Sequence, residues 1–201
     1  IIESNHRVLE VYTQPPQKKN RGQKIHNSPI HEFSKKLDIP INFPSNFDKN
    51  EVNHIKKLKP DLVIVVAYGK ILPTDLLNLD KVLFINVHAS LLPKWRGAAP
   101  MQRAIMNMDQ ETGVSIMKIV PKLDAGPILM QSKIKITQEI NHQELSDKMS
   151  KLGAKLILDT IKLIKNNKAN FIEQNEANAT YARKIQKTET KINWNDAADK
   201  V

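Results

Sequence analysis

The chain has 201 residues, 40% hydrophobic and 26% charged, enough for one substantial domain or a domain plus a fragment, with a composition ordinary for a soluble globular fold. It contains no cysteine, which excludes disulfides and thiolate metal sites, and no run approaches the ~18 apolar residues of a membrane span. The formal charge of +10 favours a polyanionic partner such as nucleic acid, although a solvated basic surface gives the same number.

The opening IIESNH lacks a methionine and reads as the tail of a helix whose preceding strand is missing; no signal peptide is visible. Residues 8–13 (VLEVYT) read as a strand. QPPQKKNRGQK follows as an exposed basic loop, because its prolines, glycine and cations cannot pack. A helix opened by Pro29 comes next, then a short extended piece over 41–47. Residues 48–58 form a polar helix with Val52, Ile55 and Leu58 on one face. The apolar runs 61–67 (DLVIVVA) and 82–87 (VLFINV) suit strands buried on both faces of a parallel sheet, joined by a short helix near 73–77. Residues 100–108 are expected to be helical, and 114–120 and 128–136 to be strands joined through PKLDAG. Asn141 with Glu144 is a capping-box-like start for the longest helix, which places Leu145, Met149, Leu152, Leu156 and Ile161 at helical spacing. After Phe171 the pattern turns polar and short. KINWNDAADKV reads as the entry to another domain, with Trp194 anchoring the junction. The alternation of elements predicts an α/β fold, doubly wound on a mostly parallel sheet, with ligands beyond the carboxyl ends of its strands.

One such end carries INVHASLLPKWRGAAP, residues 85–100. Residues two apart on a strand face the same side, so Asn86 and His88 project together. An amide and an imidazole aimed at one point suit oxyanion stabilisation, and His88 also suits proton transfer near neutral pH. Asp124, in the Gly/Pro loop KLDAGPI, is the candidate carboxylate partner. From spacing alone, a structural histidine and a turn-forming aspartate remain open readings. No second ligand stands beside His88 at metal-binding spacing, so no metal is expected.

NVHASLLPKWRGAAP and ETGVSIMKIVPKLDAGPIL, with VYTQP, VVAYGKILP and KINW, closely resemble the formyltransferases that use 10-formyltetrahydrofolate, over nearly the whole chain. Relatives acting on glycinamide ribonucleotide typically show HPSLLPKYRG at this place. The tryptophan of PKWRGAAP and the upstream TQP…RG loop point instead to members acting on a charged tRNA. The resemblance implies a Rossmann-like formyltransferase catalytic domain over 1–181, lacking its N-terminal strand. Residues 182–201 would be a linker and the start of a C-terminal, β-barrel-like, β-rich domain.

The resemblance also implies roles. Asn86, His88 and Asp124 match the family's catalytic residues. Ser90, Leu91, Leu92 and Pro93 match the segment lining the folate site, where a rigid apolar wall and free backbone groups would receive the pterin. Ala67, Tyr68 and Gly69 end the neighbouring strand and would face the same cleft. Lys18, Lys19, Arg21 and Lys24 would meet tRNA phosphates, with Arg21 at the family's arginine for the acceptor arm. The string PPQKKN departs from the usual acidic residue, proline and glycine before RG. The expected co-substrate is 10-formyltetrahydrofolate and the expected partner is initiator methionyl-tRNA, for a cytoplasmic monomer that does not touch membranes. A small-amine acceptor and a non-catalytic RNA-binding relative are the alternatives.

Overall fold

Two short parallel strands begin the ordered pattern: β1 (Val11–Tyr12) pairs with β4 (Ile41–Asn42), between which lie β2 (Gln17–Lys19), β3 (Lys24–His26) and α1 (Pro29–Lys36). The computed structural model describes residues 1–19, 22–192 and 194–197. These divide into two units, Ile1–Asn86 with Lys118–Pro121, and Val87–Met117 with Lys122–Val201.

In the first unit, sequence signals set the helix starts. Ser28 caps α1, accepting from the His31 amide at 3.1 Å, with proline at the first turn. Asp48 caps α2 (Lys49–Leu58), accepting from the Glu51 amide at 2.9 Å. Then follow β5 (Leu62–Val66), α3 (Thr74–Leu77) and β6 (Leu83–His88). The core is Ile55 of α2, Leu76 of α3 and Phe84 of β6, with Tyr12, Val52 and Val63 packed against it. Three findings depart from expectation here. The strand expected over 8–13 is reduced to two residues. The β5 strand is half-buried rather than covered on both faces, because it ends the four-stranded order β5-β6-β8-β9. The basic loop is an antiparallel hairpin, with Lys18 opposite Ile25; strand pairing satisfies backbone groups that a bare loop would leave to water.

The second unit takes the end of β6 and adds β7 (Arg96–Gly97), α4 (Pro100–Met106), β8 (Glu111–Lys118), β9 (Ile128–Lys135), α5 (His142–Lys165) and β10 (Tyr181–Ala182). The β8 and β9 strands pair antiparallel; β7 and β10 pair parallel. The fold is of the α/β, mostly parallel kind, as expected. Asn141 caps α5, accepting from the Glu144 amide at 3.0 Å. Leu145, Met149, Leu156, Ile157 and Ile161 are its buried stripe, each contributing roughly 1.5–3 kcal/mol by burial. Gly153 lets this helix approach the sheet: a Cβ there would lie 3.2 Å from Val87 Cγ1. The helix thus backs the residue preceding His88. Arg103 of α4 binds Glu189 at 2.6 Å and the Arg183 carbonyl at 3.1 Å, which holds the segment after β10 against that helix. Trp194, expected to anchor a junction, is 80% exposed.

Candidate active site

His88 ends β6 and is 5% exposed. Its Nε2 lies 2.9 Å from the Trp95 carbonyl, a contact that requires a proton on Nε2. The other ring nitrogen, Nδ1, lies 3.7 Å from Asp124 Oδ2. That is ion-pair range rather than a hydrogen bond. A carbonyl thus lies at one ring nitrogen and a carboxylate near the other.

Asp124 is held for this contact. Its backbone is left-handed, φ 44°, a conformation that non-glycine residues occupy at a cost. Its Oδ2 accepts from the Gly97 amide at 2.8 Å. Gly97 is itself at φ 114°, and a Cβ there would meet the Ala182 carbonyl at 3.0 Å. Only glycine fits this position between β10 and the carboxylate. Asn86 is half-buried and stands two residues before His88 on β6.

The segment 90–93 is more internally committed than expected. Ser90 is fully buried, donates to the Lys94 carbonyl at 2.5 Å and accepts through its carbonyl from Ser115 Oγ at 2.6 Å. The Leu92 amide donates to Ser115 Oγ at 3.1 Å, and the Leu92 carbonyl accepts from Gln131 at 2.9 Å. The Pro93 carbonyl accepts from the Thr180 amide at 3.2 Å. These backbone groups are therefore not free for a ligand; they make the segment rigid. Leu91 is half-buried over Gly113, where a Cβ would come within 2.7 Å of its Cδ2.

In the first unit, Ala67 and Gly69 both have positive φ, 46° and 74°. Tyr68 is half-buried between them, its ring edge-on to Phe47 at 5.9 Å. Burial raises its phenol pKa, with the Glu51 charge adding to the effect. The hydroxyl is buried without a hydrogen-bond partner among the described residues. Lys18 and Lys24 are exposed on opposite strands of the hairpin. Lys19 is at the end of β2, opposite Lys24. Arg21 lies outside the described residues.

Gln174 and Glu176, the partners of Arg96, escaped sequence reasoning. Arg96 is fully buried, donating to Gln174 Oε1 through Nε at 3.0 Å and Nη2 at 2.8 Å, and to Glu176 at 2.9 and 3.2 Å. The Arg96 and Lys122 cations hold the Glu176 carboxyl at about 2, below its ordinary 4.5, and hydrogen bonding to Glu176 raises Arg96. Arg96 was visible as the R of PKWRG; Gln174 and Glu176 sat in a stretch without periodicity. Trp95 is pinned by its indole Nε1, 2.6 Å from Asp109 Oδ2. It borders an open cleft of about 640 Å³ with Arg103, Met106 and Tyr181.

A protein-family model described as "Formyl transferase" matches residues 2–161. Methionyl-tRNA formyltransferase of Pelagibacter ubique is 49% identical across the whole of this chain, and that of Coxiella burnetii is 46% identical across 98% of it. The chain spans 66% and 63% of their lengths respectively. Among solved structures it is similar to phosphoribosylglycinamide formyltransferase of Bacillus halodurans (TM-score 0.63, 24% identity, 76% of this chain and 77% of that one). It is also similar to the formyltransferase PseJ of Anoxybacillus kamchatkensis, solved with a formamido sugar nucleotide and tetrahydrofolate (TM-score 0.61, 21% identity, 86% and 85%). These structural likenesses concern the fold.

Proposed function

This chain belongs to the formyl transferase family, and from that premise we propose that it transfers the formyl group of 10-formyltetrahydrofolate to the amine of methionyl initiator tRNA. The observation that carries the reading is the buried His88 facing a carboxylate, Asp124, whose position is set by the Gly97 amide. The names of the two relatives, the charge of +10 and the lysine-bearing hairpin support the tRNA acceptor.

Asn86 and His88 donate to the formyl oxygen as the amine nitrogen adds to the formyl carbon. For His88 the available donor is Nδ1, since Nε2 is engaged by Trp95. Asp124 holds the ring in place from the Nδ1 side. As the carbon–N10 bond breaks, the proton lost by the amine is delivered to N10, with His88 and Asp124 as the nearby proton carriers. Ser90, Leu91, Leu92 and Pro93, with Ala67, Tyr68 and Gly69, are assigned to the folate co-substrate. The Tyr68 hydroxyl, without a hydrogen-bond partner among the described residues, supports a polar group bound beside it. Lys18, Lys19, Arg21 and Lys24 are assigned to tRNA phosphates. Residues 182–201 are read as a linker into a β-rich domain, and a tRNA acceptor carries a cytoplasmic location. Incubation with 10-formyltetrahydrofolate and either charged initiator tRNA, glycinamide ribonucleotide or an amino sugar nucleotide tests the reading. Formylmethionyl-tRNA is the expected product; formylation of only a small amine contradicts the acceptor.

A further inference from the structure

We infer that Gln174, acting with the buried Arg96, is a positioning residue for Asp124; the inference rests on the role proposed above for His88 and Asp124. The Gln174 side-chain amide donates to the carbonyls of Asp124 at 2.9 Å and Gly126 at 2.7 Å. Its Oε1 accepts twice from Arg96, at 3.0 and 2.8 Å. Both donors and both lone pairs are thus used. The orientation is unambiguous, because Arg96 offers only donors and the two carbonyls only acceptors; a flipped amide would oppose like groups at both ends.

Arg96 cannot drift, since it is fully buried and forked onto Glu176. The next residue, Gly97, binds the Asp124 carboxylate directly. The Arg96–Gly97 dipeptide therefore grips Asp124 twice, at the side chain through the Gly97 amide and at the backbone through Gln174. This second grip offsets the cost of the left-handed backbone at Asp124. Without it the 122–126 loop relaxes and the carboxylate leaves its place 3.7 Å from His88 Nδ1. Gln174 touches neither reacting atom, and a misplacement near 1 Å costs about 100-fold in rate.

The test uses the full chain carrying Gln174→Glu, which keeps the oxygen facing Arg96 and removes both donors to the loop. The expected result is a kcat lower by about 10- to 100-fold, with KM for both substrates within about twofold and a lowered thermal midpoint that still leaves the chain folded at the assay temperature. Combined with Asp124→Asn, Gln174→Glu is expected to add no further loss, because the two act on one group. Should Gln174→Glu fail to fold, Gln174→Asn, which keeps the amide but draws it back by one methylene from the Asp124 and Gly126 carbonyls, faces the same criteria. A parental kcat, or losses that multiply in the double variant, overturns the inference. Asp124→Asn alone separates the two levels. If it runs at the parental rate, the site reading itself fails. If it is slow while Gln174→Glu is not, only the brace fails.

Discussion

The amide of Gly97 donates to Oδ2 of Asp124 at 2.8 Å, and this bond ties a two-residue strand to the loop that presents the carboxylate. Gly97→Ala tests the tie. The new methyl would sit 3.0 Å from the Ala182 carbonyl at φ 114°, so strain of roughly 1–3 kcal/mol is expected. Urea unfolding reads that loss, and the formylation rate should fall with it.

Asn86→Ala removes one proposed oxyanion donor. The expected loss is about 100- to 1000-fold in kcat, with folate affinity retained. Single-turnover kinetics at saturating co-substrate measures it.

Ser115→Ala reaches the proposed folate wall from behind. Ser115 Oγ is bonded to the Ser90 carbonyl, the Leu92 amide and Gln131 Nε2 in a fully buried position. Its removal leaves buried groups unpaired, at about 1–3 kcal/mol. Lower stability and a raised KM for the formyl donor are expected, while KM for tRNA stays constant.

Glu176 sets an acid limit. Its carboxyl is held at about 2, against an ordinary 4.5, by Arg96 first and Lys122 second. A depressed pKa stabilises the fold fully above the unfolded value, and this contribution is lost as pH falls from there through the folded value. The stability gap between the parent and Glu176→Gln should therefore be constant above pH ~5 and close progressively toward pH ~2. Denaturant titrations across that range check the sign.

Lys18 and Lys24 are exposed on the hairpin. Replacing both with alanine should lower the slope of log K against log salt for tRNA binding by about two, one for each phosphate no longer neutralised. Filter binding over a salt series reads it, and an unchanged slope removes the hairpin from the interface.

Legibility followed the range of the interactions. The cap and stripe of α5 were readable because Asn141, Glu144 and the leucines repeat within a few residues. The β8–β9 pair was readable because two runs with apolar, partly alternating residues flank the Gly/Pro-bearing stretch PKLDAG. The hairpin was not, since Lys, Gln and Pro carry no alternation and pairing is a tertiary choice. His88 and Asp124 were singled out through their motifs, but the commitment of Ser90 and Leu92 to Ser115 and Gln131 was hidden in cross-strand contacts. Gln174 was hidden most completely. Its partners lie 50 and 78 residues away, and no local pattern marks it.

The most direct measurement is the rate of formylmethionyl-tRNA formation by the parent and by Asp124→Asn, whose amide oxygen can still accept from Gly97 while the negative charge is gone. A catalytic role for the carboxylate predicts product from the parent and a rate at least about 100-fold lower in the variant, with both equally stable. Equal rates would contradict it.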